Sequence, residues 1–159
     1  MAGEYKMNTD ELMKLDNQLC FAFYTCSREI MKLYRPLLAE FGLTYTQYIT
    51  LLALWERDGV TVKELGAMLY LDSGTLTPLL KKLEQMNLVT RTRDKSDERS
   101  VIIELTEEGK ALRDKACTVP MRLFAGTDAE VEDITAMHRQ INEFLRKIGG
   151  GSAQLEQPE

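Results

Sequence analysis

The chain has 159 residues, of which 44% are hydrophobic and 28% charged, and a net charge of −5 at pH 7. These values describe a single globular domain with a core of its own and exclude a disordered or fibrous chain. The apolar runs are too short to span a bilayer, and the charged N-terminal stretch lacks the apolar centre of a secretion signal. The expected compartment is therefore the cytoplasm, with no membrane partner. Three cysteines, Cys20, Cys26 and Cys117, contain no CxxC pair, and His138 is the one histidine. A disulfide framework and a zinc site are both disfavoured, and no metal or cofactor is expected.

In chain order, residues 1–8 read as polar and frayed. Asn8 or Thr9 can cap a helix, with Asp10 and Glu11 in its first turn. Leu12, Leu15, Leu19, Phe23, Cys26 and Ile30 recur at spacings of three and four, which predicts one long amphipathic helix to about Leu33. Pro36 suits the first turn of a new short helix, closed by Gly42 as a left-handed cap. Thr44 and Gln47 form a capping box that opens a helix apolar nearly all round, ended by Gly59. Thr61 and Glu64 form a second box. Asp72 and Ser73 supply an N-cap for the next helix, which carries Pro78 in or just past its first turn and ends at Asn87.

Residues 88–106 then alternate with period two, predicting two strands around a charged turn. Thr106 caps a helix that Pro120 kinks or ends. Thr127 and Glu130 read as a third capping box, opening a last amphipathic helix to about Ile148, and 149–159 read as a flexible tail.

Helix, turn, helix and hairpin in that order, over residues 61–106, outline a winged helix-turn-helix. The predicted class is mainly α with a small β-hairpin wing, in a single domain over 1–148. The helices over 9–41 and 107–148 exceed what a small DNA-reading core needs. Packing against a second copy is a natural use for them, since most soluble oligomers are two-fold dimers.

The charge distribution agrees. Between Ser73 and Arg99 stand six basic and four acidic residues, so this segment is +2 in a chain of −5. An acidic body with a locally basic element fits specific DNA binding. On the second helix of the motif, Ser73, Thr75, Thr77 and Pro78 lie in the N-terminal half. Lys81 and Lys82 follow, with Leu76, Leu79, Leu80 and Leu83 at core spacing. A recognition helix needs this division between small groups that approach bases and basic groups that meet phosphates. By itself it is equally the pattern of a capped surface helix. The hairpin shifts the balance, because Arg91, Arg93, Lys95 and Arg99 crowd a short element where a wing must neutralise phosphate. Asp97, two residues before Arg99, is placed to orient its guanidinium.

Cys20 has two readings. Free cysteine is commonly a small buried hydrophobe; a redox-sensing thiolate instead needs access and hydrogen-bond donors. Tyr24, Tyr34, Tyr45 and Tyr48 are near enough in sequence to donate. No enzyme signature is present: there is no phosphate-cradling glycine loop, no HExxH and no nucleophile elbow.

LDNQLCFAFYTCSRE (15–29), LTYTQYITLLALWE (43–56), LYLDSGTLTPLLKKLE (69–84) and DERSVIIELTEEG (97–109) together resemble the organic-hydroperoxide-sensing, OhrR-like branch of the MarR repressors. The resemblance implies a homodimer on a pseudo-palindromic, inverted-repeat operator. In it Cys20 is the peroxide-reactive cysteine, Tyr34 and Tyr45 hydrogen-bond it from the partner subunit, and Tyr24 belongs to the same pocket. Arg99 is the wing-tip arginine, oriented by Asp97. Organic hydroperoxide would oxidise Cys20 and release DNA.

One departure concerns the resolving cysteine, which two-cysteine members carry beyond the proline of the fifth long helix. Here MRLFAGTD has none, and Cys117 precedes Pro120. The expectation is a mixed disulfide with a low-molecular-weight thiol, a Cys20–Cys117 bridge being the alternative. The competing functional reading is a MarR-type repressor released by a bound small molecule, with Cys20 structural.

Overall fold

A computed structural model of the chain describes residues 8–149. The expected tail from residue 150, and residues 1–7, lie outside the described residues. The elements are α1 (Thr9–Leu12), a 3-10 turn (Leu15–Asn17), α2 (Leu19–Ala39), α3 (Tyr45–Glu56), β1 (Val60–Thr61), α4 (Val62–Leu69) and α5 (Ser73–Gln85). They continue with β2 (Val89–Arg93), β3 (Val101–Leu105), α6 (Glu107–Ala116), α7 (Thr118–Arg122) and α8 (Val131–Lys147). The predicted class, mainly helical with a small β wing, is the observed one.

Helix α3 is the centre. It touches α2, α4, α5, α6 and β3, and Tyr48, Leu51 and Leu54 are all but excluded from solvent. Its capping box is present: Thr44 Oγ1 accepts from Gln47 N at 3.3 Å, and Gln47 Oε1 accepts from Thr44 N at 2.9 Å. The core around it takes Leu65 from α4, Leu76, Leu80 and Leu83 from α5, and Val60, Val89 and Ile103 from the sheet. Trp55 Nε1 donates to the Gly109 carbonyl at 2.8 Å, tying α3 to α6 across 54 residues of sequence.

Four expectations are corrected. The first long helix is two. Asn17 Nδ2 donates to Glu11 O at 2.7 Å and Gln18 Nε2 to Leu12 O at 2.6 Å, so two side-chain amides satisfy the carbonyls at the end of α1 and stop it. Apolar spacing carries no trace of that competition. Second, Pro36 opens no new helix; α2 runs through it to Ala39. The carbonyl deprived of its bond belongs to Lys32, and both residues are exposed, so water can satisfy it. Third, Thr127 does not cap α8, because its hydroxyl donates to Phe124 O at 2.8 Å and closes the preceding turn. Helix α8 begins one residue after Glu130, whose N–H donates to Asp133 Oδ2 at 3.4 Å. Fourth, Pro120 lies inside α7, a short helix that α6 reaches through Cys117.

One element was not anticipated. The two-residue strand β1 joins the hairpin antiparallel, in the order β1-β3-β2, with Val60 opposite Ile103 and Thr61 opposite Ile102. Arg122 grips Glu40 with two bonds, of 2.9 and 2.6 Å, fixing the end of α2 to α7.

The junction of wing and α6 leaves no room for a side chain at Gly109, where a Cβ would stand 2.1 Å from the Leu88 carbonyl oxygen. Backbone has to shift to relieve such a contact, so Gly109→Ala is expected to lower stability by about 2–3 kcal/mol, read as a drop in the urea midpoint.

Candidate functional site

The helix-turn-helix is built from α4 and α5. Thr61 caps α4 in a box with Glu64, and the turn needs two local devices. Tyr70 takes the left-handed conformation (φ 54°, ψ 37°), and Leu71 N donates back to Gly66 O at 3.0 Å. A Cβ on Gly66 would lie 2.7 Å from Leu71 O, so glycine is what lets the chain fold back so closely.

Asp72 then caps α5. Its carboxylate accepts from Thr75 N at 2.8 Å and from Thr75 Oγ1 at 3.1 Å, and these bonds hold it below the usual carboxylate range. Thr77 Oγ1 donates to Ser73 O at 2.7 Å. Leu76, Leu80 and Leu83 are buried, while Ser73, Thr75, Thr77, Pro78, Lys81 and Lys82 are all exposed. The helix therefore has the predicted division into a core stripe and an outward face. Pro78 stands in the second turn, sixth from the helix start, past the first-turn position.

The wing pairs Val89 with Leu105, Arg91 with Ile103 and Arg93 with Val101. Side chains alternate across a strand, so Val89, Arg91 and Arg93 share one face. Val89 and Ile103 are buried on that face, and Arg91 follows them inward. Its side chain is 24% exposed, with Nε 3.9 Å from Glu84 Oε2 of α5. Arg93, Lys95 and Arg99 are exposed.

The loop between the strands is held by its own side chains. Asp94 Oδ1 accepts from Ser96 N at 2.8 Å and from its hydroxyl at 2.7 Å. Asp97 accepts from Arg99 N at 3.1 Å and from Ser100 Oγ at 2.9 Å. The expectation that Asp97 grips the Arg99 guanidinium is thus corrected: its carboxylate shapes the backbone from which Arg99 projects.

Cys20, Cys26 and Cys117 are free thiols, exposed in the protomer. Cys20 sits in the first turn of α2. Tyr24 lies one turn on, on the same face, with its hydroxyl accepting from Arg28 Nη1 at 3.2 Å and the guanidinium 5.5 Å from its ring centroid. Arg28 was missed, although its four-residue spacing from Tyr24 was a readable signal.

Tyr34 belongs to a different cluster, where α2 meets α3. Its ring lies 4.8 Å from that of Tyr45 and 6.0 Å from that of Tyr48. Burial pushes the Tyr34 phenol up to about 12, and the neighbouring phenols add to the shift. Burial raises Tyr45 and Tyr48 as well. These phenols remain protonated donors at neutral pH. Cys20 and Tyr34 stand on one helix, separated by roughly 21 Å along its axis at about 1.5 Å per residue. Within one protomer Cys20 therefore shares a helix face with Tyr24 and stands apart from Tyr34.

Because the fold favours the neutral phenol of Tyr34, that contribution to stability is complete below pH 10 and is lost as pH rises towards 12. In a 295 nm titration a tyrosine step is expected near 12, with stability falling as pH rises from 10 towards it, and Tyr34→Phe should remove that step.

Comparison with known proteins agrees with this geometry. The sequence pattern of the transcriptional regulator SarA/Rot family matches residues 32–116. An organic hydroperoxide resistance transcriptional regulator of Bacillus subtilis strain 168 is 47% identical over 141 residues, which is 89% of this chain and 96% of that protein. Reduced AbfR bound to DNA has a TM-score of 0.75 at 36% identity, covering 89% of this chain and 99% of that one. Disulfide-formed AbfR has a TM-score of 0.65 at 36% identity, covering 88% and 95%. AbfR has also been solved as a protein of Staphylococcus epidermidis. The chain belongs to the SarA/Rot family of transcriptional regulators and is a DNA-binding, winged-helix protein of the MarR type.

Proposed function

We infer that the protein is a redox-controlled repressor, which binds an inverted-repeat operator as a homodimer and releases it when organic hydroperoxide oxidises Cys20. The observation that carries this reading is the split pocket. Exposed Cys20 lies at one end of α2 and a cluster of protonated phenols at the other. Two copies of α2 packed antiparallel would bring each Cys20 to the partner's Tyr34 and Tyr45. The surface such packing would cover is apolar: Leu12, Met13, Leu15, Leu19 and Phe23 near the N-terminus, Met137, Phe144 and Leu145 on α8, and Ile148 just past its end, are exposed in the protomer. Phe23 already stacks on Phe144 at 6.2 Å, so the two regions form one surface.

The chemistry follows from the thiolate. Its sulfur attacks the terminal peroxide oxygen, the O–O bond breaks, and the alcohol departs after taking up a proton, leaving a sulfenic acid. A low-molecular-weight thiol condenses with it, forming a mixed disulfide and releasing water. The adduct no longer fits among the tyrosines, and the two recognition helices lose their one-turn spacing of roughly 34 Å. Read out as DNA release, the oxidation of Cys20 acts as a switch that reduction resets. The relative solved in a disulfide-formed state supports thiol chemistry on this fold. A DNA-reading role requires the compartment that holds DNA, the cytoplasm; among the described residues no helix is long and apolar enough to cross a membrane.

On DNA, Ser73, Thr75, Thr77, Pro78, Lys81 and Lys82 would enter the major groove, with Arg93, Lys95 and Arg99 on flanking phosphates and the minor groove. With one Arg99 in each subunit of the dimer, Arg99→Ala is expected to weaken binding by about tenfold and to reduce the slope of log K against log salt by ~1.8, measured by fluorescence anisotropy over a salt series.

The decisive experiment uses a labelled duplex selected from random sequence by the reduced protein. Cumene hydroperoxide should release wild type but not Cys20→Ser, and mass spectrometry with cysteine present should show a mixed disulfide on Cys20. Release of both proteins would move the switch away from Cys20. Release of neither would point to a small-molecule inducer.

A further inference from the structure

Arg91 is in an unexpected place for a wing arginine. It occupies an inward position of β2 directly opposite Ile103, which is fully buried. An apolar side chain is the ordinary occupant of such a site. The guanidinium instead lies between the sheet and the last turn of α5, where Nη1 is buried with no hydrogen-bond partner among the described residues. An unsatisfied buried N–H is a cost to the folded state. The carboxylate it pairs with is that of Glu84, 45% exposed at the end of the recognition helix, with its Oε2 3.9 Å from Arg91 Nε. Phosphate contact from this position would require the side chain to leave its slot, whereas Arg93, Lys95 and Arg99 are exposed already.

We propose that Arg91 is a positioning residue of the DNA-binding surface: paired with Glu84, it fixes the root of the wing against the end of the recognition helix and so sets the angle between the two. The proposal rests on the DNA-reading role given above. Groove spacing is fixed by the duplex, so the helix and the wing must reach DNA in one relative orientation. Strands advance about 3.3 Å per residue, which puts the wing loop well beyond Arg91 and magnifies any rotation at its root. Glu84 and Arg91 hold the only element-to-element charge contact found between α5 and β2 among the described residues.

The proposal makes a prediction opposite in sign to ordinary electrostatics. Glu84 is a negative charge on a helix that approaches a polyanion, so removing it should tighten binding if the carboxylate merely repels DNA. If it holds Arg91, removing it should weaken binding.

The test measures anisotropy on the selected duplex, over a salt series, for wild type, Glu84→Gln, Arg91→Met and the double variant. Glu84→Gln changes one exposed side chain isosterically, so it keeps the test readable even if Arg91→Met fails to fold. Glu84→Gln is expected to weaken binding roughly threefold and Arg91→Met roughly three- to tenfold. The double variant should be no weaker than Arg91→Met alone, since the two residues act through one contact. Tighter binding by Glu84→Gln overturns the proposal. So does additivity in the double variant together with a fall of ~1.8 in the salt slope for Arg91→Met, the mark of a direct phosphate contact from each subunit. If the reduced wild type selects no duplex, the DNA-reading role itself fails, and that outcome is distinct from either of these.

Discussion

A helix that is apolar on nearly every face must be enclosed, and that requirement on α3 organises the molecule. Its neighbours α2, α4, α5, α6 and β3 each cover part of it. As a result α2, the recognition helix and the wing all rest on one rod. Leu51 and Leu54 are fully buried in its middle, and Tyr48 is buried on the side that meets the tyrosine cluster. Displacing α2 therefore disturbs the packing of α3, against which the DNA-reading half is also seated. Cores are close-packed, so such a disturbance shifts whole elements and is not absorbed locally.

The separation along α2 constrains function in a second way. Continuous helix holds Cys20 and Tyr34 apart, and the bidentate pair of Arg122 with Glu40 anchors α2 at the end remote from Cys20. That pair is also visible in its charges, for the hydrogen bond from Arg122 holds the Glu40 carboxyl below the usual range and raises the arginine. A rod fixed at one end and chemically addressable at the other suits a sensor, because a modification at the free end moves against a stationary reference.

Much of this was legible in the sequence, for identifiable reasons. The boxes at Thr44–Gln47 and Thr61–Glu64, and the Asp72 cap, depend on residues three apart, so local chemistry decides them. The alternation in 88–106 fixed both strands, and the core stripe of α5 fixed its outward face. What was not legible depended on competition or on distance. Asn17 and Gln18 look like helix residues until their amides are seen on the α1 carbonyls. β1 is two residues long and exists only because β3 lies beside it. Arg91 reads as one more basic residue in a basic hairpin; only the register against Ile103 reveals that it faces inward. The proposed meeting of Cys20 with Tyr34 and Tyr45 came from family resemblance alone, since no spacing within one chain encodes a contact between two.

The neck of the wing carries a different consequence. Thr106 Oγ1 donates to Asn87 O at 2.6 Å and accepts from Gly109 N at 2.9 Å, and Thr106 N donates to Leu88 O at 3.1 Å. Thr106 thus ties together the two ends of the segment between Asn87 and Thr106, as a loop drawn closed at its mouth. Residues added to or removed from its far end do not alter the distance between the points where it is attached, and longer exposed loops cost little in closure entropy. Evolution can lengthen, shorten or recharge the tip, and so retune which DNA shapes a regulator of this kind prefers, while the framework beneath it stays unchanged.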